Sequence, residues 1–459
     1  MSHRRLHVVR LVVVAVISAF SAMACFADSQ VRIVRLSSLE GDVRIDRNLG
    51  VGFEKAFLNL PITQGVILQT GNDGRAEVEF EDGSTLRLTP DSVVQFPDLA
   101  LRDSGAKFSS VKLQQGTAYI DYRGTKDDEF TLDFAREAVA FKDPVRLRVQ
   151  MNDTNATLAV LKGEVTVAGA SGNVNVSKNR SATFDLAHQD QYQIAKDVEE
   201  QPFDEWNKEQ GKYHDTYLGK NYSDYSSNAY GVSDLNYYGS FFNAPGYGTL
   251  WQPYFTSAGW DPFMDGSWAW YPGSGYTWVS GYQWGWTPYH CGSWLFQQSF
   301  GWAWQPGGCG SWYGFPRIVN PPQRFLAPQP PVGGPGRATI VTNPRPVVSA
   351  IREPNSRMFI RSNSAGLGIP RGSVHNMSRL SNQVRQNGSV AATFRPAPAA
   401  TPTMRGTSSP ATAVSSRPTA TPRSASPPAS RVPGAGPSGS SRSTSGTPRV
   451  AVPRSTTPK

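Results

Sequence analysis

Histidine, cysteine and long apolar runs are all scarce in this chain of 459 residues. It has six histidines and three cysteines, too few to suggest a histidine-based active site or a clustered zinc site with short C-x-x-C spacing. After the first twenty residues, no run is long and apolar enough to form a spanning helix of about 20 residues. Neither a Gly-rich phosphate loop nor a Ser/His/Asp arrangement is present. We therefore expect no enzyme, no catalytic residue, no cofactor and no bound metal.

The N-terminal residues have the pattern of an export signal. Three arginines lie among the first ten residues, ahead of an apolar run over 11–20 and the small residues that follow it. Cys25-Phe26-Ala27 is typical of a cleavage site, which predicts a signal peptide over 1–27 and a periplasmic or secreted protein. An uncleaved membrane anchor and lipidation at Cys25 are the alternatives.

Two cysteines remain in the mature chain, Cys291 and Cys309. In an exported protein a lone pair of this kind indicates a disulfide. His290 precedes Cys291, so a metal site is the alternative, but two cysteines and one histidine are a weak ligand set.

The C-terminal third differs from the rest in composition and charge. Residues 317–459 are rich in Pro, Ser, Thr and Arg, and from residue 318 onward 17 arginines and one lysine face a single acid. Such a segment buries too little apolar surface to fold, so we predict a disordered tail, interrupted only by a short amphipathic helix at Val374, Met377, Leu380 and Val384. The net charge of +17 from residue 318 onward favours anionic envelope polymers, glycans or peripheral membrane association over specific nucleic-acid binding.

Residues 31–192 have the alternation of an all-β domain. Runs such as 31–36, 41–45 and 75–80 alternate apolar with polar residues between Gly, Asp and Asn turn residues. Glu77, Glu79 and Glu81 alternate on one of these strands, so they share one face. The simplest interpretation is a solvated face; a glycosidase pair or a calcium site is the alternative.

Within this β region one stretch is similar to the FecR domain family. Leu60–Gly71 reads LPITQGVILQTG and is followed by Glu81–Leu88, EDGSTLRL; Gly116 and Gly163 resemble the family's later strand starts. The resemblance implies a small β-solenoid or curled β-sheet. The best-known members of the family that this stretch resembles are envelope sensors that signal to a cytoplasmic sigma factor. Here the β region directly follows the predicted signal peptide, so we carry over the fold and the location, not the anti-sigma activity.

A threefold repeat follows between residues 234 and 316. Each copy has Gly-Ser-aromatic and, nine residues after that Gly, Gly-x-x-Trp; the copies begin at Gly239, Gly266 and Gly292. A fixed period of this length indicates a tandem supersecondary unit, and the composition predicts two short strands per copy.

Five tryptophans are the predicted anchors of the repeat module: Trp251, Trp268, Trp278, Trp294 and Trp304. We expect them to form the core of a thin sheet, with sugar stacking as the alternative. Tyr254, Tyr271 and Tyr282 fall off the repeat and are the better candidates for exposed ligand contacts.

A charged segment at 199–217 joins the two regions. Its pattern predicts a linking helix with Phe203, Trp206, Gln210 and Tyr213 on one face.

The order of the β region, the linking helix and the repeats resembles that of a set of uncharacterised bacterial envelope proteins. We predict a mainly β protein with three parts besides its signal peptide and linking helix: a FecR-like domain, a short-strand Trp/Gly/Tyr repeat module and a disordered tail.

We expect the chain to be a non-enzymatic exported envelope protein that presents an interaction surface. Two alternatives stay open. One is a module that binds glycan or cell-wall polysaccharide, and the other is a FecR-type sensor that acts through a membrane partner.

Overall fold

The computed structural model describes residues 32–393 except 170–171, 189–190, 220–221, 310–311, 313, 333–339, 343–350 and 353–356. These residues belong to one unit of the chain, which extends to Pro402; a second unit begins at Thr403. The predicted signal peptide and the tail beyond residue 393 lie outside the described residues. The fold is mainly β, which confirms the predicted class.

The first part, here called the β domain, contains seventeen strands. They are β1 (Val34–Glu40), β2 (Val43–Asp46), β3 (Glu54–Lys55), β4 (Pro61–Ile62), β5 (Ile67–Thr70), β6 (Arg75–Glu79), β7 (Thr85–Leu88), β8 (Val93–Leu101), β9 (Lys107–Tyr122), β10 (Glu129–Phe134), β11 (Glu137–Phe141), β12 (Val145–Met151), β13 (Asn155–Lys162), β14 (Glu164–Gly169), β15 (Gly172–Ser177), β16 (Arg180–Asp185) and β17 (Gln191–Ala195).

These strands form two sheets that share β9. The first sheet runs β4-β1-β6-β7-β9-β12-β13-β16-β17. The second runs β3-β2-β5-β8-β9-β10-β11-β14-β15, with β9 and β10 parallel and the other pairs antiparallel. The chain passes repeatedly from one sheet to the other, and the alternating apolar side chains form one core cluster.

Glycine marks the corners where the chain changes sheet. Gly116 lies within β9 at φ +84, between the part paired with β8 and the part paired with β12. A Cβ there would lie 2.6 Å from the carbonyl oxygen of Asp91, too close for any side chain. Gly163, at φ +87 between β13 and β14, occupies the next corner. Only glycine adopts this backbone conformation without strain.

The second part, here called the aromatic module, follows two helices, α1 (Asp204–Tyr217) and α2 (Val232–Tyr238). A 3-10 turn over Tyr222–Asp224 lies between these two helices, and the module itself contains α3 (Thr287–His290) and α4 (Met377–Asn387). Its strands are β18 (Gly239–Ala244), β19 (Gly248–Pro253), β20 (Gly266–Tyr271), β21 (Gly275–Ser280), β22 (Cys291–Gln297), β23 (Gly301–Cys309), β24 (Ile318–Val319), β25 (Ile340–Thr342), β26 (Ile351–Arg352), β27 (Arg357–Arg361) and β28 (Ser389–Thr393).

The module's strands form three small sheets. Their orders are β18-β19-β23-β22-β24, β21-β20-β25 and β26-β27-β28. Most of the module's large side chains share one aromatic core cluster. No helix among the described residues is long and apolar enough to cross a membrane.

The predicted disordered tail begins too early at residue 317. Residues 357–393 form two strands and α4, and Met358, Ile360 and Val384 are at most 1% exposed in the aromatic core. The helix predicted around 374–384 therefore exists, at 377–387. Average composition misled the prediction because these few apolar residues pack on a core supplied by a distant segment.

Helix α1 is more than a linker. Trp206, Tyr213 and His214 are buried, and Asp204, in its first turn, pairs with Arg148 of β12 at 2.6 Å. At the other end, Asp215 pairs with Arg123 and Arg146. The helix is therefore fastened to the β domain at both ends.

Candidate functional site

The three sequence repeats are three β-hairpins. Gly-Ser-aromatic lies at the start of the first strand of each hairpin, one residue in for β22, and Gly-x-x-Trp begins the second strand; the hairpins are β18–β19, β20–β21 and β22–β23. The cross-strand pairs are equivalent, with Phe241 opposite Trp251, Trp268 opposite Trp278 and Trp294 opposite Trp304. Hairpins one and three join through β19 and β23, whereas the second pairs with β25.

Each repeat needs its first glycine because the tryptophan of the second strand lies over it. A Cβ at Gly239 would lie 2.3 Å from Cζ2 of Trp251, and one at Gly266 would lie 2.4 Å from Cζ2 of Trp278. At Gly292 the nearest indole atom, Nε1 of Trp304, would be 2.9 Å away. The second glycines, such as Gly275 at φ +81, form the turns. The glycines and tryptophans that recur in the repeat are thus explained by packing within each hairpin.

The predicted repeat anchors lie in the core. Trp251, Trp268, Trp278, Trp294 and Trp304 are at most 5% exposed. Trp251 and Trp304 donate their indole N–H groups to backbone carbonyls of Leu235 and Cys291. No ring face of these anchors is therefore free to stack on a sugar.

Two of the three tyrosines expected to be exposed are buried. Tyr271 is 2% exposed; its hydroxyl donates to the carbonyl of Pro61, and Arg47 lies 5.0 Å from its ring centre. Tyr282 is 1% exposed and stacks on Trp284. Both were expected at the surface because they fall off the repeat, but Tyr271 packs against the β domain, and Tyr282 packs against Trp260 and Trp284 in the aromatic core. Tyr254 is half-buried against the aromatic core.

Cys291 and Cys309 form a disulfide in the structure, across the open end of the β22–β23 hairpin. Closing a loop with this separation of 18 residues stabilises the fold by about 3 kcal/mol in the chain-entropy model. Within the described part of the chain, no group of three or more His, Cys, Asp or Glu side chains could hold a metal ion. The cysteine next to His290 is therefore part of a disulfide that links the two strands at the end of a hairpin.

The most concentrated group of charges lies between the β domain and the aromatic module. We call it the ionic cluster; its members are Arg35, Glu77, Glu79, Arg87, His214, Asp234 and Arg371. Their side chains are at most 4% exposed. The expectation that Glu77, Glu79 and Glu81 form a solvated face is wrong, because α1, α2 and the module cover that face of β6.

Arginines from both parts hold the carboxylates. Arg35 of β1 lies 3.0 Å from Glu79 and 2.7 Å from Asp234 of α2. Arg371 contacts both oxygens of Asp234, at 2.8 and 2.6 Å, and also Oε1 of Glu77, at 2.7 Å. Three guanidinium groups thus balance three carboxylates, which is how a protein can bury charge.

Burial alone would raise the pKa of Glu77, but His214, Arg87 and Arg371 hold that pKa well below its usual range. Arg371 and Arg35 likewise outweigh burial and lower the pKa of Asp234. Glu77 also accepts hydrogen bonds from Ser37 and from the Nε2–H of His214, at 2.7 and 3.0 Å. The carboxylate can only accept, so Nε2 of His214 carries a hydrogen.

Glu81, the third glutamate of the series, is paired elsewhere. Arg32 donates to both of its oxygens at 2.7 Å and also to Ser109. Sequence alternation placed the three glutamates on one face but carried no signal for their partners. Asp234 and Arg371 lie 157 and 294 residues beyond Glu77, and no local pattern connects them.

A groove of about 580 Å³ lies beside α4. It is lined by Tyr217, Val374, His375, Arg379, Leu380 and Ala392, among others. Arg379 and His375 are exposed, so the groove has no buried charged group with which to recognise a ligand.

Comparison with protein families accounts for both parts of the chain. Residues 67–166 match the family model described as FecR protein. The chain contains a FecR domain. Residues 232–322 match a family of unknown function, DUF6600, so the aromatic module carries a DUF6600 segment. The FecR match begins at β5 and ends in β14, whereas the two-sheet β domain also contains β1–β4 and β15–β17.

Other comparisons are weaker. Two crystal structures of a protein named as an anti-sigma factor from Parabacteroides distasonis match with 15% sequence identity and a TM-score of 0.27. The match covers 31% of this chain and 64% or 63% of theirs, so this chain spans less than two thirds of either. Comparison with curated proteins gives no match.

Proposed function

We propose that this protein is a non-enzymatic, exported component of the cell envelope that presents an interaction surface. The carrying observation is the ionic cluster. The β domain and the aromatic module are not independent of each other, because Arg35, Glu77 and Asp234 are buried between them. The two family segments act as one folded unit, and its partners meet their combined surface.

The burial of the tryptophans favours a scaffold over a glycan receptor. Ten of the twelve tryptophans are buried, and only Trp270 and Trp312 are half-buried. Glycan receptors stack sugars on exposed rings, and here the rings are used for packing. The FecR match also supports a second candidate, a sensor that acts through a membrane partner.

The tail supports a peripheral attachment. Residues 394–459 contain eight arginines and one lysine and no acid. Evenly spread positive charge binds anionic polymers or lipid headgroups, and this binding weakens with salt.

The test is fractionation of cells that express the tagged full chain or a chain ending at Thr393. We expect both in the envelope fraction without their first 27 residues. We also expect that the full chain leaves the envelope fraction only at high salt, whereas the shortened chain is released without added salt. Recovery of either chain from the cytoplasm with its N-terminus intact would refute export.

The same purified chain separates the alternatives. We expect no saturable change in tryptophan fluorescence with peptidoglycan or acidic polysaccharides. Saturable quenching would instead establish glycan binding. Recovery of one membrane regulator after crosslinking in cells would favour the sensor.

A further inference from the structure

Strand β17 leaves the first sheet of the FecR domain open at one side. Among the described residues it pairs only with β16, and all five of its residues are exposed. An unpaired edge presents a row of free backbone N–H and C=O groups. It can therefore accept another strand.

The core is also uncovered at this edge. In the register of β16 and β17, Tyr192 lies opposite Phe184 and Ile194 opposite Ala182. Opposite residues share a face, and Phe184 and Ala182 are at most 1% exposed. Tyr192 and Ile194 therefore face the core side, yet they are 40% and 43% exposed. The first sheet extends one strand beyond the cover that the second sheet provides.

Other edges of this domain are protected. Strand β3 has two residues, both charged, and β4 has two residues and begins with Pro61. On β15, the edge of the second sheet, Val174 and Val176 are at most 3% exposed. Strand β17 has the sequence QYQIA, with no charge, no proline and no irregularity in its pairing. It lacks the devices that prevent strand addition.

We propose that β17 is a docking edge for an extended segment of another envelope protein, which adds to the sheet as a further strand. The segment would carry apolar side chains at alternate positions, because these would lie beside Tyr192 and Ile194 and cover the open core. This proposal rests on the proposed function in two respects: the chain has a binding partner, and that partner lies in the cell envelope.

A second copy of this chain fits less well. Five residues span about 17 Å, and a β17–β17 pair would bury far less than the roughly 1,200 Å² of a stable dimer. A short strand addition suits a peptide segment instead, which obtains affinity from backbone hydrogen bonds and specificity from alternate side chains.

The experiment uses the full chain and a fluorescent hexapeptide of alternating Thr and Val. The control peptide is N-methylated at every second residue, which removes the hydrogen-bond donors. We expect saturable binding of the first peptide only, and slower amide exchange at residues 191–195 when it is bound. Ile194→Lys should weaken binding about tenfold or more, the loss of roughly 1.4 kcal/mol.

Leu101→Lys is the matched control, because Leu101 is also 43% exposed but lies at the end of β8. It should bind the peptide as the unchanged protein does. Absence of binding, equal binding by Ile194→Lys, or unchanged exchange at 191–195 would overturn the proposal. Concentration-dependent dimers that Ile194→Lys abolishes would overturn it in favour of a second copy. Neither result affects the fractionation test, so the two proposals fail separately.

Discussion

Arg371 lies outside both family-matched segments, yet its guanidinium contacts one carboxylate from each. Glu77 belongs to the FecR match and Asp234 to the DUF6600 match. Burial would lower the pKa of Arg371, but Asp234 and Glu77 raise it well above its usual value, so it stays charged. A chain cut at the end of the family match, residue 322, would leave two buried carboxylates short of a partner.

Replacing Arg371 with methionine should destabilise the protein by about 3–5 kcal/mol, because removing one member of a buried ion pair leaves its partners uncompensated. Urea unfolding followed by tryptophan fluorescence measures the change. Arg379→Met, in the exposed part of α4, is the control and should alter stability by less than about 0.5 kcal/mol. Equal effects of the two substitutions would contradict the role given to the ionic cluster.

His290 predicts a pH dependence. Burial lowers its pKa to about 4, whereas the unfolded chain has a value near 6.5. As pH falls from about 6.5 to about 4, the unfolded chain gains a proton that the folded protein excludes. Stability is therefore lost in this window, by up to about 3 kcal/mol.

The check compares urea midpoints of the unchanged protein and His290→Gln at pH 7 and pH 4.5. Other acids titrate in both proteins, so only the difference between them reports on His290. We expect the unchanged protein to lose more stability than the variant. Parallel losses would contradict the assignment.

At the scale of the element, each aromatic hairpin follows one packing rule: a tryptophan on the second strand covers a glycine at the start of the first. Gly266→Ala should test it, because its Cβ would lie 2.4 Å from the Trp278 ring. We expect a loss of about 1–3 kcal/mol from overpacking, measured by thermal and urea unfolding. Gly259→Ala is the control, since its nearest neighbour would be Asn363 at 3.7 Å. A neutral Gly266→Ala would show that the ring position is not fixed.

How far the sequence predicted these elements depends on the range of the interactions. The hairpins and the helix at 377–387 follow from patterns within a few residues, and so does the mainly β character of residues 31–192. The covering of Glu77, the burial of Tyr271 and the folding of 357–393 depend on partners more than 100 residues away. Alternation shows which side chains share a face, but it carries no information about what will lie against that face.

At the scale of the whole molecule, the contacts between the two parts predict that they remain together when the chain is cut. A protease site inserted after Asp224, in the exposed turn between α1 and α2, would allow the folded protein to be cleaved. We expect the nicked protein to elute as one species, because Arg35–Asp234 and the hydrogen bonds from Asn59 to the carbonyls of Ser280 and Tyr282 cross the cut.

The same nick in Arg371→Met should release the two pieces at a lower urea concentration. Two separate species from the nicked, unchanged protein would contradict the single folded unit on which the proposed function depends.

Strand β9 has a mechanical consequence. Its first half is hydrogen-bonded to β8 and β10 and its second half to β7 and β12, so it is woven into both sheets. A pulling force on this strand has to shear four ladders at once. The β domain should therefore resist tension as one block and rupture in a single step.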